Sequence, residues 1–200
     1  NFLQIRELFA ENRAYLNDEV FTPLKDIDAI SEEKAQELLE LSDHLAYTET
    51  LEMVDVRLAF FIVNALEPYY EKRGNREKYI HCLFRREMLA YNVGQIFDRG
   101  RLTDALAGRY RGYILACAEK ASVFLDDVDG FAALPDKTQE ELLSIELFRA
   151  TGYERPYYDE QLILRQIGSY QRYIRRLLDP EIRKAAPNIN WDKQLYSAYT

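Results

Sequence analysis

Two histidines, two cysteines, two methionines and one tryptophan in 200 residues leave little material for metal or redox chemistry. His44 and His81 sit in no His-Glu-x-x-His or Glu-x-x-His arrangement, so zinc-protease and di-iron bundle readings lack ligands. Glu40 and His44 share a helix face, which reads as an ordinary surface pair. Cys82 and Cys117 fall inside apolar helical patterns and read as buried reduced thiols. Glycine is scarce, at eight residues, and no two are adjacent. No Gly-rich phosphate loop, nucleophile elbow or Cys-x-x-Cys is present. No apolar run reaches the roughly 18 residues that a spanning helix needs. The longest cluster, Leu58 to Leu66, is interrupted by Asn64. No period-2 alternation with hairpin turn chemistry occurs, so no strand is expected. No signal peptide is visible, and the expected compartment is the cytoplasm. No cofactor is expected.

What is present is helical periodicity. Phe2, Ile5, Leu8, Phe9 and Leu16 give a first helix, and a looser segment broken at Pro23 runs to Ile30. Ser31 reads as an N-cap, with Glu32 and Glu33 where the helix dipole favours anions. Ala35, Leu38, Leu39, Ser42 and Leu45 form the next face. After Thr50, a candidate cap, comes the stripe Leu51, Val54, Leu58, Phe61, Ile62, Ala65 and Tyr69. Pro68 predicts a kink near residue 64 in that helix. Tyr79 to Phe97, Leu102 to Phe124, a helix ending near Ala150, and Asp159 to Leu178 follow. Two short segments after Asp179-Pro180 and Pro187-Asn188 complete the chain. Short loops imply antiparallel neighbours. The expectation is an all-α fold of irregular antiparallel hairpins, read as one helical domain over 1–200. Residues 179–200 read as a candidate linker. Asn1 is no initiator Met and Thr200 ends no polar tail, so the chain reads as a piece of a longer protein.

Charge is uneven. Residues 1–60 hold 14 acids against 5 bases, whereas 61–200 hold 20 against 21, within a net charge of −8. An acidic N-terminal third argues against nucleic-acid binding and suits a basic partner surface. Tyrosine is abundant, at 15 residues. Each reads as seam packing or as an interface anchor. Tyr153, Tyr157 and Tyr158 lie in a loop with Arg155 and Pro156.

Tyr70, Gly74, Asn75, Tyr79 and Leu83, and again Ile96, Gly100, Leu102 and Ala105, resemble the inter-helix turn of tetratricopeptide repeats. Tyr79 stands where a small residue is usual, and Arg109 where an aromatic is. Gly74 and Gly100 are 26 residues apart, against a repeat of about 34. One helix of about 36 Å therefore serves both turns. The resemblance covers residues 51–125 and implies a degenerate, right-handed stack or bundle. The Tyr-rich irregular helices are also similar to N-terminal regulatory regions of bacterial diguanylate cyclase signalling proteins. That resemblance implies a non-catalytic domain controlling a cyclic-di-GMP-synthesising output domain outside this chain. The output's Gly-Gly-Asp/Glu-Glu-Phe motif is absent here.

Two constellations remain. Asp126-Asp127-Val128-Asp129 is similar to the aspartate-rich motif that holds magnesium-diphosphate in all-α prenyl-transfer enzymes. A solvated turn is the plainer reading. In the late helix, Ile163, Ile167, Tyr170, Ile174 and Leu177 line one face. Arg165, Ser169, Arg172 and Arg176 line another. A guanidinium row suits carboxylates or phosphates, and equally suits a solvated face or pairing with acidic helices. The leading expectation is a regulatory or protein-binding scaffold. Arg165, Arg172 and Arg176 would meet the partner, with Tyr157 and Tyr158 as anchors. That partner is its own output domain, a separate protein or a second copy, with no nucleic acid and no membrane. The alternatives are a small-molecule sensor with an aromatic pocket, and an enzyme using Asp126 to Asp129.

Overall fold

The computed structural model describes residues 16–46, 53–97, 104–151 and 160–199. These residues form helices and turns, with no strand among them. The chain divides into two compact units, 1–74 and 75–200.

The first unit begins with a π-helical turn at Leu16–Phe21, then α1 (Thr22–Lys25) and a 3-10 turn at Ile27–Ala29. Pro23 sits in the first turn of α1, where its missing N–H costs nothing. Helix α2 (Glu32–Ala46) packs along α3 (Met53–Lys72). The predicted cap forms: the Lys34 N–H donates to Ser31 Oγ at 3.1 Å. Ala35, Leu38, Leu39 and Ser42 are buried as their spacing requires. Helix α3 is continuous through Pro68. Its buried face is wider than the predicted stripe, because Val56, Ala59, Val63, Leu66 and Tyr70 are buried as well. Phe61 is half-exposed and meets Phe21 edge-on at 5.8 Å. At the C-terminal end of α3, Lys72 binds Asp28 at 2.8 Å, which holds the Asp28 carboxyl below its usual range. Arg73 stacks 3.6 Å from the Tyr69 ring centre. The first predicted helix and the Thr50 cap lie outside the described residues.

Gly74 follows, in the left-handed region at φ +66°. Its N–H donates to Glu71 O at 3.1 Å. Asn75 then caps α4 (Arg76–Phe97) by accepting from the Lys78 N–H at 3.2 Å. The predicted turn at Gly74-Asn75 is present, while the one at Gly100 lies outside the described residues.

The second unit continues with α5 (Asp104–Asp126), α6 (Val128–Ala132), α7 (Asp136–Thr151), α8 (Glu160–Leu178), α9 (Pro180–Ala185) and α10 (Trp191–Tyr199). Helix α7 is central and packs against α4, α5 and α8 at once. Leu142, Leu143, Ile145 and Ala150 are all fully buried, so it has no single apolar stripe. Helices α4 and α5 pack together, and the small side chains Cys117, Ala118 and Ala121 of α5 are fully buried. Cys82 and Cys117 are reduced and buried. Asp179 caps α9 by accepting from the Glu181 N–H at 2.9 Å. Segment 179–200 is thus largely helical, with α9 against α6 and α10 against α8.

An alanine at residue 74 must adopt a backbone that costs an L-residue about 1–2 kcal/mol. Gly74→Ala is therefore expected to lower the denaturant midpoint, measured by circular dichroism in urea. An unchanged midpoint and slope would show that the turn carries no such constraint.

Candidate functional site

The basic stripe of α8 has two fates. Its inner members are engaged with acids of the second unit. Arg176 Nη2 donates to Asp126 Oδ1 at 2.8 Å, closing the C-terminal end of α5 onto α8. Arg172 is exposed, and its charge acts on Glu146 of α7. Arg165 points to solvent, as does Arg175, whose Nε donates to the Gln171 carbonyl at 3.2 Å. Tyr157 and Tyr158, the expected aromatic anchors, lie outside the described residues.

The apolar face of α8 differs from the expected one. Tyr173 and Leu177 are fully buried, and Ser169 is buried beside them, donating to Arg165 O at 3.0 Å. Ile163 and Ile167 are 41% and 48% exposed, and Leu164 is 53% exposed. Leu178 at the far end is 54% exposed. At 100° per residue the helix seats itself on Ser169, Tyr173 and Leu177. The stripe drawn through Ile163, Ile167 and Ile174 falls about 100° to one side of Tyr173, at the rim of that contact. The arginines occupy the opposite rim.

Beneath α8 lies a layer of buried charge that the periodicity conceals. Of the three glutamates Glu140, Glu141 and Glu146 on α7, only Glu140 is exposed. Glu141 is buried and its Oε1 lies 2.7 Å from His81 Nδ1 of α4, with Lys137 Nζ at 3.8 Å. Glu146 of α7 and Glu87 of α4 have no exposed surface, and none of their four carboxylate oxygens has a hydrogen-bond partner. Burial pushes the Glu87 carboxyl well above the usual range. The Glu146 charge adds to the rise and Arg149 opposes it. Glu146 is also raised, chiefly by burial, but Arg176, Arg149 and Arg172 all pull it back. Glu146 is thus the better compensated carboxylate, and Glu87 is the one pushed further toward its neutral form. Tyr173 rises for the same two reasons, its own burial and the Glu146 charge. Its hydroxyl donates to Gln194 Oε1 of α10 at 3.1 Å.

A signal for this layer existed. Glu87 follows Ile80 and Leu83 at helical spacing, and Glu146 follows Leu142 and Leu143 in the same way. A carboxylate in register with an apolar stripe points inward however polar it is.

The aspartate run serves structure. Asp126 pairs with Arg176, and Asp127 caps α6 by accepting from the Gly130 N–H at 3.0 Å. Asp126, Asp127 and Asp129 are all exposed. Among the described residues no group of three His, Cys, Asp or Glu side chains is placed to hold a metal ion. Glu40 bonds Gln36 at 2.8 Å, and His44 is exposed on the same helix. No helix among the described residues is long and apolar enough to cross a membrane. Comparison with protein-family models, with curated proteins and with solved structures finds no match. The site is therefore read from its own chemistry.

The raised Glu87 carboxyl has a consequence for stability. A group whose folded pKa lies above its unfolded value favours folding at low pH and loses that contribution as pH rises through the folded value. The second unit is therefore more stable at pH 5 than at pH 8. Glu87→Gln removes the proton requirement. It is expected to flatten the profile, its thermal midpoint gaining on the parent's as pH rises. A variant whose thermal midpoint tracks the parent across that range would refute this assignment.

Proposed function

We propose that the chain is a non-catalytic, regulatory or protein-binding helical scaffold of a bacterial cytoplasmic signalling protein. In this reading its work is to present helix α8 to a protein partner, either an output domain of the same protein or a separate chain. The observation that carries the reading is the exposed row Ile163, Leu164 and Ile167 on a helix whose neighbouring charges, Arg165 and Arg172, are also open to solvent. Three large aliphatic side chains side by side in water form a patch that scattered surface residues do not. Arginine beside such a patch is the composition of protein interfaces. The resemblance to regulatory regions of diguanylate cyclase proteins supports the signalling part of the reading.

Photo-crosslinking tests it. A photoreactive residue at position 164 or 167 in the host cell is expected to capture one discrete protein adduct, or an intramolecular one within the full-length product. The same residue at Val123, which is 67% exposed on α5, serves as the control and should capture little. Equal, diffuse labelling at all three positions would remove α8 as the working surface.

A further inference from the structure

Helix α8 contains a glycine that its described neighbours do not explain. Gly168 lies mid-helix and exposed, and a Cβ built there would meet nothing within 4 Å. A helix-interior glycine costs about 1 kcal/mol relative to alanine, and among the described residues no close neighbour requires it. Its position is informative. At 100° per residue, Ile163, Ile167, Ile174 and Leu178 run along one edge of the solvent face. Arg165 and Arg172 run along the other, with Arg175 on that side but close to the crest. Leu164 and Gln171 form the crest between them, and Gly168 lies on the basic side of that crest, one turn from Leu164 and one turn from Arg172. Glu160, at the first turn, is the only acid in the helix. Residues 61–200 are close to neutral, with 20 acids against 21 bases, so the basic edge is a local concentration of positive charge.

We propose that the solvent face of α8 seats an amphipathic helix with an acidic edge, its backbone crossing α8 at Gly168. The inference rests on the protein-binding reading above and names the partner's chemistry. An incoming helix lays its apolar residues on Ile163 and Ile167. Its carboxylates meet Arg165, Arg172 and Arg175 on the opposite edge, where guanidinium forks bind carboxylates bidentately. The missing Cβ lets the two backbones approach closely. The aliphatic edge sets this surface apart from a phosphate-tracking one, which needs cations alone.

The test uses the whole chain and two synthetic helical peptides of 21 residues (the length is a design choice). Both carry leucine at i, i+4, i+7 and i+11. One is flanked by glutamate and its twin by lysine. Fluorescence anisotropy is expected to show the glutamate peptide binding at least tenfold tighter, with the difference shrinking as salt rises. Arg165→Glu with Arg175→Glu, which leaves the Arg176–Asp126 pair intact, should reverse the preference. Gly168→Leu should abolish binding. Gly112→Leu on α5, also exposed and equally open, should not. Gly168→Ala and Gly112→Ala should each raise the thermal midpoint by about 2–4 °C, which separates folding from binding. Equal affinity for the two peptides, binding to neither, or indifference to Gly168→Leu would overturn the proposal. So would a Gly168-dependent dimer in sedimentation, which makes a second copy the occupant, or selective binding to phosphatidylserine vesicles. If the peptides fail while cellular crosslinks at 164 and 167 persist, the protein-binding reading stands and the acidic helix falls. If both fail, neither stands.

Discussion

The second unit depends on one constraint: helix α7 is enclosed on three sides. A helix packed by α4, α5 and α8 together cannot keep its polar residues on a solvent face. Thr138, Gln139, Glu141 and Glu146 are carried inside with the leucines. Each then needs a partner. Gln139 donates to Phe131 O at 2.9 Å, and Glu141 meets His81. Glu146 is surrounded by the charges of Arg149, Arg172 and Arg176. The arginines of α8 are thus divided between an inner task, compensating Glu146 and Asp126, and an outer one on the solvent side. Burying ionised groups is costly unless they are compensated, which is why burial raises both carboxyls and raises Glu87, with fewer cations acting on it, well above the usual range.

That division gives the α8 surface its form. Arg176 is pinned to Asp126, so the helix axis is held at its C-terminal end while Tyr173 and Leu177 fill the seam below. The rims on either side of that seam are what solvent meets, aliphatic on one side and cationic on the other. The asymmetry gives α8 a direction and a chemical preference that a uniformly polar helix lacks.

Much of the fold was legible in the sequence. Ser31, Asn75 and Asp179 announce helix starts because their short side chains accept backbone N–H groups, and the glycine before Asn75 adopts the positive φ that ends a helix. Periodicity located most helices to within a residue or two. It failed where a helix has more than one neighbour. Helix α3 buries a broad face and α7 nearly its whole circumference, so a single-stripe reading underestimates both. For α8 the expected line Ile163, Ile167, Tyr170, Ile174 and Leu177 holds at Leu177, which is buried, but Tyr173 joins it in the seam and leaves Ile163 and Ile167 exposed at the rim. The buried pair Glu87 and Glu146 was hidden because carboxylates are normally read as surface, although their spacing from Ile80, Leu83 and Leu142 places them inward. Tyr157 and Tyr158 fall outside the described residues.

The central position of α7 also orders events during synthesis. Helices α4 and α5 leave the ribosome before α7 and can pair with each other. The flank of that hairpin destined for α7 carries Glu87 and His81, and it stays in water until residues 136–151 arrive. A nascent hairpin with charged groups on its open flank is less adhesive than one lined by leucine alone, and exposed apolar surface is what drives early aggregation. The same carboxyl that burdens the finished core thus keeps the half-made one soluble.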